Sequence, residues 1–318
     1  MPSVPDVLAK VFVCVPFFWN VHKLPTLRSV TEAIDGWPTE VAVRIISNKP
    51  ERLAGTLESW NTSPSFEAVV GPANHTHPFE LTWAHRNYML DALQTGGYTA
   101  FVYLEDDIPM HWHTLLSWAH DNEALEPRGL QRQFYRTEIA PWNGRPYMTD
   151  ARGYTSLDKA MSVSRTVHLE TPTISGHTDF VVLSDPYSAM YVASAAVMHK
   201  FAASPQWTDR NSPWSSWGAE AGGEMAANAI IFLDPPLGFW SAGLVPYDAA
   251  SKTILPIAAV EHASNRLCAE LALKHGFHDH APDASLGLYF CAVEPHLLFS
   301  ESHNLTHAGL ARSAAVQL

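Results

Sequence analysis

The sequence predicts an α/β fold in which a mostly parallel central sheet is flanked by helices. Continuous apolar and β-branched runs, typical of strands buried on both faces, recur within the first 105 residues, and helix-like segments separate them. This alternation requires crossover connections, which favour parallel pairing. The predicted strands are VFVCVPFF (11–18), VAVRIIS (41–47), FEAVVG (66–71) and TAFVYLE (99–105).

Proline and glycine bound the predicted helices of this half. One helix begins near Pro25, carries apolar residues at helical spacing, and ends at the GWP sequence of residues 36–38. A longer helix is expected from about residue 80 to 93, stopped by Gly96. The helices therefore fall between the predicted strands, as a doubly wound sheet requires.

The second half of the chain predicts a smaller sheet region. Turn-forming residues punctuate the strand-like pieces QRQFYRTEI (131–139) and DFVVLS (179–184). YSAMYVAS (187–194) predicts a strand that runs into a short helix through Phe201. Residues 219–233 are expected to become helical after Gly223, where alanine and methionine supply helix propensity.

Composition limits the classes of partner. The 318 residues are 47% hydrophobic and 16% charged, which suits a compact globule. A formal net charge of -12 disfavours nucleic acid as a partner, and no run approaches the roughly 20 apolar residues of a membrane span, so no stable membrane insertion is expected. Three scattered cysteines favour reduced thiols and a cytoplasmic location.

Three consecutive acids, Glu105, Asp106 and Asp107, follow the fourth predicted strand. Carboxylates this close raise one another's pKa, so the cluster is tolerated mainly where a cation, a proton or open water relieves the repulsion. Ligands of doubly wound sheets bind beyond the carboxyl ends of the strands, where these acids are expected. The pattern predicts a metal site, and a solvated acidic loop is the alternative.

Three segments, in this order and spacing, resemble a GT-A glycosyltransferase of the nucleotide-sugar-dependent kind. They are VPFFWNVHKLPTLRSV (15–30), AHRNYMLDALQTGGYTAFVYLEDDI (84–108), and YSAMYVASAAVM (187–198) followed by WGAEAGGEMAANAI (217–230). The resemblance implies a GT-A-like, Rossmann-like sheet. It also implies a nucleotide-sugar-binding half over residues 1–125 and an acceptor-binding half over residues 126–318, in one continuous domain.

On the family pattern, Glu105-Asp106-Asp107 is the DxD-type motif. Asp107 would hold Mn²⁺ or Mg²⁺, Glu105 would lie near the ribose, and the role of Asp106 is less defined. His262, in VEHASN, resembles the C-terminal histidine that returns to the metal and the diphosphate, with a core histidine as the alternative. Hard oxygen ligands suit either cation, which needs only one or two of them from protein.

The resemblance also assigns residues to the donor nucleotide. Arg86 would bind the diphosphate, and a surface ion pair is the alternative. Pro16 and Phe17 would line the base pocket, although Phe17 also suits a core position. Asn48 stands where many relatives carry an acid near the base, so the choice of base stays open.

An inverting transferase needs a carboxylate to deprotonate the acceptor hydroxyl of a glycan or another molecule. Relatives carry a Glu-Asp pair at the start of the acceptor-side helix, whereas this chain has only Glu220 and Glu224. Glu224, after two glycines at the expected helix start, is the first choice, and inversion is slightly favoured over retention.

Two other functions are compatible with the same acids. A nucleotidyltransferase would attack the α-phosphate, but its usual glycine-rich loop after the first strand is missing from VPFFWN. A non-catalytic carbohydrate-binding protein could keep the fold. The histidines of HGFHDH (275–280) are a weaker candidate for a zinc site, and Trp207, Trp214 and Trp217 suit either acceptor stacking or packing.

Overall fold

The computed structural model describes residues 4–63, 65–71, 78–139, 146–148, 161–183, 187–208, 219–251, 253–264 and 289–290. The strands in chain order are β1 (Lys10–Phe17), β2 (Glu40–Ser47), β3 (Phe66–Val70), β4 (Ala100–Leu104), β5 (Gln131–Arg132), β6 (Tyr135–Ile139), β7 (Pro146–Met148), β8 (Met161–His168), β9 (Asp179–Leu183), β10 (Met190–Ser194), β11 (Gly243–Asp248), β12 (Thr253–Ile254), β13 (Ala259–Glu261) and β14 (Tyr289–Phe290). The helices are α1 (Leu24–Asp35), α2 (Pro50–Ser59), α3 (Pro78–Leu81), α4 (His85–Thr95), α5 (Trp112–Leu125), α6 (Ala195–Ala202) and α7 (Ala219–Asn228).

The central sheet confirms the predicted α/β class. Its strand order is β10-β4-β1-β2-β3, with β4, β1, β2 and β3 parallel and β10 antiparallel at the edge. The four strands expected in the first half and the strand within 187–194 are all present. The sheet is therefore mostly parallel, as the crossover argument requires.

Strand β1 shows why this sheet has a core on each face. Val11, Val13 and Val15 belong to one buried cluster, while Phe12 and Cys14 belong to another. Successive residues of a strand point to opposite faces, and a continuous apolar run therefore serves both layers. Helices α1, α2 and α5 contribute to the first cluster, and α4, α6 and α7 to the second.

Two helical details differ from the sequence expectation. The helix expected over residues 80–93 is broken into α3 and α4 by a 3₁₀ turn, Thr82–Ala84. The His85 ring Nδ1 donates to the Thr82 carbonyl, which competes with regular helical pairing at that turn. The structure also adds α2, which the predicted elements do not include.

The strand order places a topological switch point between β1 and β4. The chain proceeds from β1 outward to β2 and β3, and then returns to pair β4 with the other side of β1. The crevice outside the carboxyl ends of two such strands is the usual ligand site of open α/β sheets. The segments after β1 and β4 meet there.

Smaller sheets form the second half, in agreement with the predicted sheet region. One has the order β12-β11-β9-β8, with β5 paired to β11, and the other has the order β13-β6-β7-β14. Within the described ranges, each helix is too short or too polar to span a bilayer. The division at residue 125 into two functional halves stays a prediction.

A buried charged network joins α5 to the second half. Arg132 Nε donates to Asp121 Oδ2 at 3.0 Å, Thr173 Oγ1 donates to Asp121 Oδ1 at 2.8 Å, and His177 Nδ1 lies 2.9 Å from the same oxygen. The side chains of Asp121 and Arg132 are fully buried. Burial opposes the charge of Asp121, but His177, Arg132 and Thr173 outweigh it and lower the pKa of the carboxyl.

We expect Asp121→Asn to lower the free energy of unfolding by about 3–5 kcal/mol at pH 7, because it leaves the Arg132 charge buried without its carboxylate. Since the folded-state pKa of Asp121 is lowered, its contribution is present above the unfolded pKa of about 3.9 and is lost as the pH falls through the folded value. Urea unfolding at several pH values measures both effects. Glu32→Gln, which removes an exposed i,i+4 pair with Arg28, is the control and should cost under about 1 kcal/mol. Equal stability of Asp121→Asn and the wild type at pH 7 would contradict the assignment.

Candidate functional site

The three acids lie at the switch point, directly after β4. The Glu105 amide donates to the carbonyl oxygen of Ala189, just before β10, and the Ile108 amide donates to the Glu105 carbonyl oxygen. These bonds form a tight turn beside the antiparallel edge strand. Asp106 and Asp107 are buried, so the solvated-loop alternative does not describe them.

Asp106 is paired with a lysine from the segment after β1. Lys23 Nζ donates to both carboxylate oxygens of Asp106, each at 3.0 Å. Burial opposes the ammonium charge, but Asp106, Asp107 and Glu105 outweigh it and raise the pKa of Lys23. A protein cation thus relieves part of the repulsion that the sequence predicts.

Asp107 contacts the histidine expected from the C-terminal part of the chain. His262 Nε2 lies 3.1 Å from Asp107 Oδ2 and 2.9 Å from Ser264 Oγ. On the other side of the ring, His262 Nδ1 lies 2.5 Å from Glu138 Oε1. The ring is therefore held between two carboxylates from different parts of the fold.

The pKa values of this pair move in opposite directions. Burial disfavours the charge of Asp107, but the hydrogen bond and charge of His262, with Lys23 and Arg136, lower its pKa to about 2. Burial likewise disfavours the charged imidazole, but Asp107 and Glu138 raise the pKa of His262 to about 9. Without a bound ligand, the geometry favours an aspartate paired with an imidazolium.

Glu105 has a different environment. Tyr187 Oη donates to Glu105 Oε1 at 2.8 Å, and the Arg136 guanidinium stacks over the Tyr187 ring at 4.6 Å. Burial is the main cause that raises the pKa of Glu105 to about 7, with Asp107 and Asp106 adding to it and Arg136 and Tyr187 opposing it. The first acid of the motif thus titrates near neutral pH.

The donor set fits a hard divalent cation. Asp107 Oδ1 is buried and has no hydrogen-bond partner among the residues that the structure describes, although a buried carboxylate oxygen is costly to leave unpaired. Mg²⁺ and Mn²⁺ accept one or two protein ligands, with phosphate and water completing the shell. Among the described residues, no group of three or more His, Cys, Asp or Glu side chains has an arrangement suited to holding a metal. Asp107 with His262 is therefore a candidate for a site that a nucleotide would complete.

The residues predicted for the nucleotide base lie at the ends of β1 and β2. Asn48 Oδ1 accepts from the Trp19 amide at 2.7 Å, which ties together the segments after these strands. Pro16 and Phe17 are buried within β1, and the Phe17 ring packs in the core against Trp19 with ring centroids 6.0 Å apart. Phe17 therefore takes the core position that the sequence left open. The role of Pro16 and Asn48 at the base stays a prediction.

Arg86 is buried, 3% exposed, and holds backbone together. Its guanidinium donates to the carbonyl oxygens of Gln206 and Trp207 and, at 3.4 Å, to those of Met225 and Ala226. The rings of Trp83, Phe201 and Trp207 surround it. This packing role differs from the surface ion pair considered from the sequence, and diphosphate binding by Arg86 stays a prediction.

The acceptor-side helix begins earlier than expected. Helix α7 starts at Ala219 and includes Gly222 and Gly223, so Glu224 is its sixth residue and Glu220 its second. The expectation of a helix start after Gly223 is wrong, and the dipole argument, which holds for the first turn, now favours Glu220. Their role as catalytic base stays a prediction.

The predicted zinc-site histidines and the tryptophans do not contribute to this site as the structure describes it. The HGFHDH segment (275–280), Trp214 and Trp217 lie outside the described residues. Trp207 is buried, with its ring 5.2 Å from that of Phe201, which is the packing alternative.

Besides Ser264, four residues of the site were not among the predicted ones: Lys23, Arg136, Glu138 and Tyr187. Arg136 and Glu138 carried a signal, because they are charged, two positions apart, in the strand-like piece QRQFYRTEI. Residues i and i+2 of a strand share a face, and two charges on one face of a buried strand require partners. Lys23 and Tyr187 carried no comparable signal, since their contacts depend on tertiary structure.

Comparison with solved structures finds crystal structures of S. aureus TarS. The likeness to TarS 1–349 has 14% sequence identity and a TM-score of 0.33, and covers 60% of this chain and 48% of that one. A second TarS structure has 14% identity and a TM-score of 0.26, with 43% of this chain and 26% of that chain covered. The likeness thus spans about half the length of TarS 1–349, and TM-scores this low are not evidence of a shared activity. No protein-family model and no curated protein matches the chain.

The raised pKa of Glu105 predicts a stability that depends on pH. The folded state holds this proton more tightly than the unfolded state, so the contribution of Glu105 is fully present below about pH 4.3 and is lost as the pH rises through about 7. We expect Glu105→Gln to remove this loss, because the amide does not ionise. Urea unfolding between pH 4.5 and 8, the range that brackets these values, measures it.

Glu58→Gln, at an exposed position of α2, is the matched control and should leave the pH dependence of the wild type unchanged. Identical pH dependence of Glu105→Gln and the wild type would contradict the assigned environment of Glu105.

Proposed function

We propose that the protein is a metal-dependent glycosyltransferase that moves a sugar from a nucleotide-sugar donor to a hydroxyl of a glycan or another acceptor. The main support is Asp107, a buried acid at the switch point of a mostly parallel sheet. Within the described part of the chain, Asp107 Oδ1 has no hydrogen-bond partner. Such a crevice suits a nucleotide, and such an oxygen suits a cation that arrives with it. The sequence resemblance to GT-A enzymes supports the same reaction.

The chemistry uses charges that the site supplies. Breaking the bond between sugar and phosphate leaves a nucleoside diphosphate, and a bound Mn²⁺ or Mg²⁺ would stabilise its negative charge as a Lewis acid. Asp107 and His262 would hold this cation. The Lys23 ammonium, at the entrance between β1 and β4, would lie close enough to contribute a second positive charge.

On the acceptor side, we assign the catalytic base to α7. Glu224 or Glu220 would take the proton of the attacking hydroxyl, which gives inversion at the anomeric carbon. Arg86 supports this role indirectly, because it holds the carbonyl groups at the end of α7 against α4. Glu105 would contact the ribose and Asp106 would keep Lys23 in place.

One observation favours a second candidate, a nucleotidyltransferase. Lys23 follows β1 and reaches the acids, as the lysine of a phosphate-binding loop would. The loop lacks the glycines that usually accompany such a lysine, so we rank this function second. The products separate the two functions, because nucleotidyl transfer from a nucleoside triphosphate releases pyrophosphate and sugar transfer releases a nucleoside diphosphate.

Donor binding tests the proposal. Thermal unfolding with UDP-, GDP-, CMP- and dTDP-sugars, each with Mn²⁺ and with chelator, should show a raised melting temperature for one nucleotide class only with metal, because a ligand of the native state stabilises it. Release of the free nucleotide should follow the same pattern. Asp107→Asn should abolish both effects.

Asp91→Asn, at an exposed position of α4, is the matched control and should behave as the wild type. The absence of any shift with every nucleotide, with and without metal, would exclude the proposed function. A shift that survives chelation and Asp107→Asn would exclude its metal dependence.

A further inference from the structure

We propose that Glu138 is a positioning residue of the site: it fixes the His262 ring so that Nε2, and not Nδ1, faces Asp107. The inference rests on the proposed function, since it concerns how the chain prepares Asp107 and His262 for a divalent cation. No sequence pattern of the resemblance assigns a role to Glu138.

The contacts around Glu138 carry the argument. Its side chain is fully buried, and Oε1 lies 2.5 Å from His262 Nδ1. A carboxylate accepts hydrogen bonds, so the proton of this bond sits on Nδ1. In the neutral ring Nε2 then carries the lone pair, and this nitrogen lies 3.1 Å from Asp107 Oδ2 and 2.9 Å from Ser264 Oγ.

This arrangement is the one by which proteins orient histidine ligands of metals. A carboxylate that accepts from one ring nitrogen fixes the tautomer and makes the other nitrogen a better ligand. Here the other nitrogen lies 3.1 Å from Asp107 Oδ2, and Asp107 Oδ1 is buried with no hydrogen-bond partner in the described ranges. The Glu138 carboxylate, the His262 ring and the Asp107 carboxylate therefore form one chain of contacts.

The backbone fixes the same alignment. Strands β6 and β13 pair in parallel with Thr137 opposite Glu261. The His262 amide then donates to the Thr137 carbonyl oxygen, and the Ala263 amide donates to the Asp107 carbonyl oxygen, both at 2.8 Å. The pairing of β6 with β13 thus places the backbones of Glu138 and His262 side by side, independently of their side-chain contact.

The face of β6 that carries Glu138 also supports Glu105, the first of the three acids. Arg136, two residues before Glu138, stacks on Tyr187, whose hydroxyl donates to Glu105. One strand face therefore supports the first acid through a tyrosine and the third acid through a histidine. Glu138 belongs to a set of supporting residues and is not an isolated buried acid.

Binding of Mn²⁺ alone tests the inference, with free Mn²⁺ measured by electron paramagnetic resonance. Glu138→Gln should weaken Mn²⁺ binding about 10–100-fold, because the amide accepts a weaker bond and can present its NH₂ group to Nδ1. Glu261→Gln, the same change at an exposed position of β13 next to His262, is the matched control and should leave affinity unchanged. Thermal unfolding without metal establishes that both variants are folded.

A second measurement needs no variant of Glu138. ¹⁵N spectra of histidine-labelled wild type, recorded above the His262 pKa of about 9 so that the ring is neutral and with the His262 signals assigned by His262→Gln, should show the single ring proton on Nδ1. A neutral ring protonated only on Nε2 would overturn the inference, as would equal Mn²⁺ affinity of folded Glu138→Gln and the wild type. Failure of the wild type itself to bind Mn²⁺ would overturn this inference, whereas the proposed function falls only if no nucleotide-sugar raises the melting temperature. The two failures are therefore distinguishable.

Discussion

The repulsion among three adjacent carboxylates is the constraint around which this structure is arranged. Each acid has a different solution: Asp106 binds the Lys23 ammonium, Asp107 binds the His262 ring, and Glu105 combines a tyrosine hydroxyl with a raised pKa. The partners come from the segment after β1, from the segment before β10 and from the segment after β13. The central sheet and the smaller sheets are thus joined at the motif, and the motif holds its charges only when both are in place.

The pKa values of the acids differ strongly within the site. Asp107 stays ionised well below neutral pH, because the positive groups around it outweigh its burial, whereas burial dominates for Glu105. Two acids only two positions apart, Glu105 and Asp107, thus have pKa values that differ by several pH units. Asp107, which is ionised at neutral pH, can accept a cation, and Glu105, which titrates near neutral pH, can exchange a proton or a hydrogen bond.

Periodicity and breaker residues were sufficient for the central sheet. The apolar runs of β1, β2 and β4 are long and bounded, so their type and limits follow from local pattern. The resemblance similarly led to His262, far along the chain. Lys23 and Tyr187 were out of reach, since a lysine in a loop or a tyrosine before a strand is compatible with many environments. Arg86 shows the opposite limit: its type suggests phosphate, but three aromatic rings and four carbonyl groups give it a packing role that only the structure reveals.

The contact between Asp107 and His262 spans 155 residues of sequence. Closing so long a loop is entropically expensive, and contacts of this range slow folding. During synthesis from the N-terminus, Lys23 and the acids are made before Glu138, Tyr187 and His262. For that interval the motif is a cluster of acids with one protein cation and water around it. The site is therefore completed only after β13, and a chain that stops before β13 carries the motif without the ring that holds it.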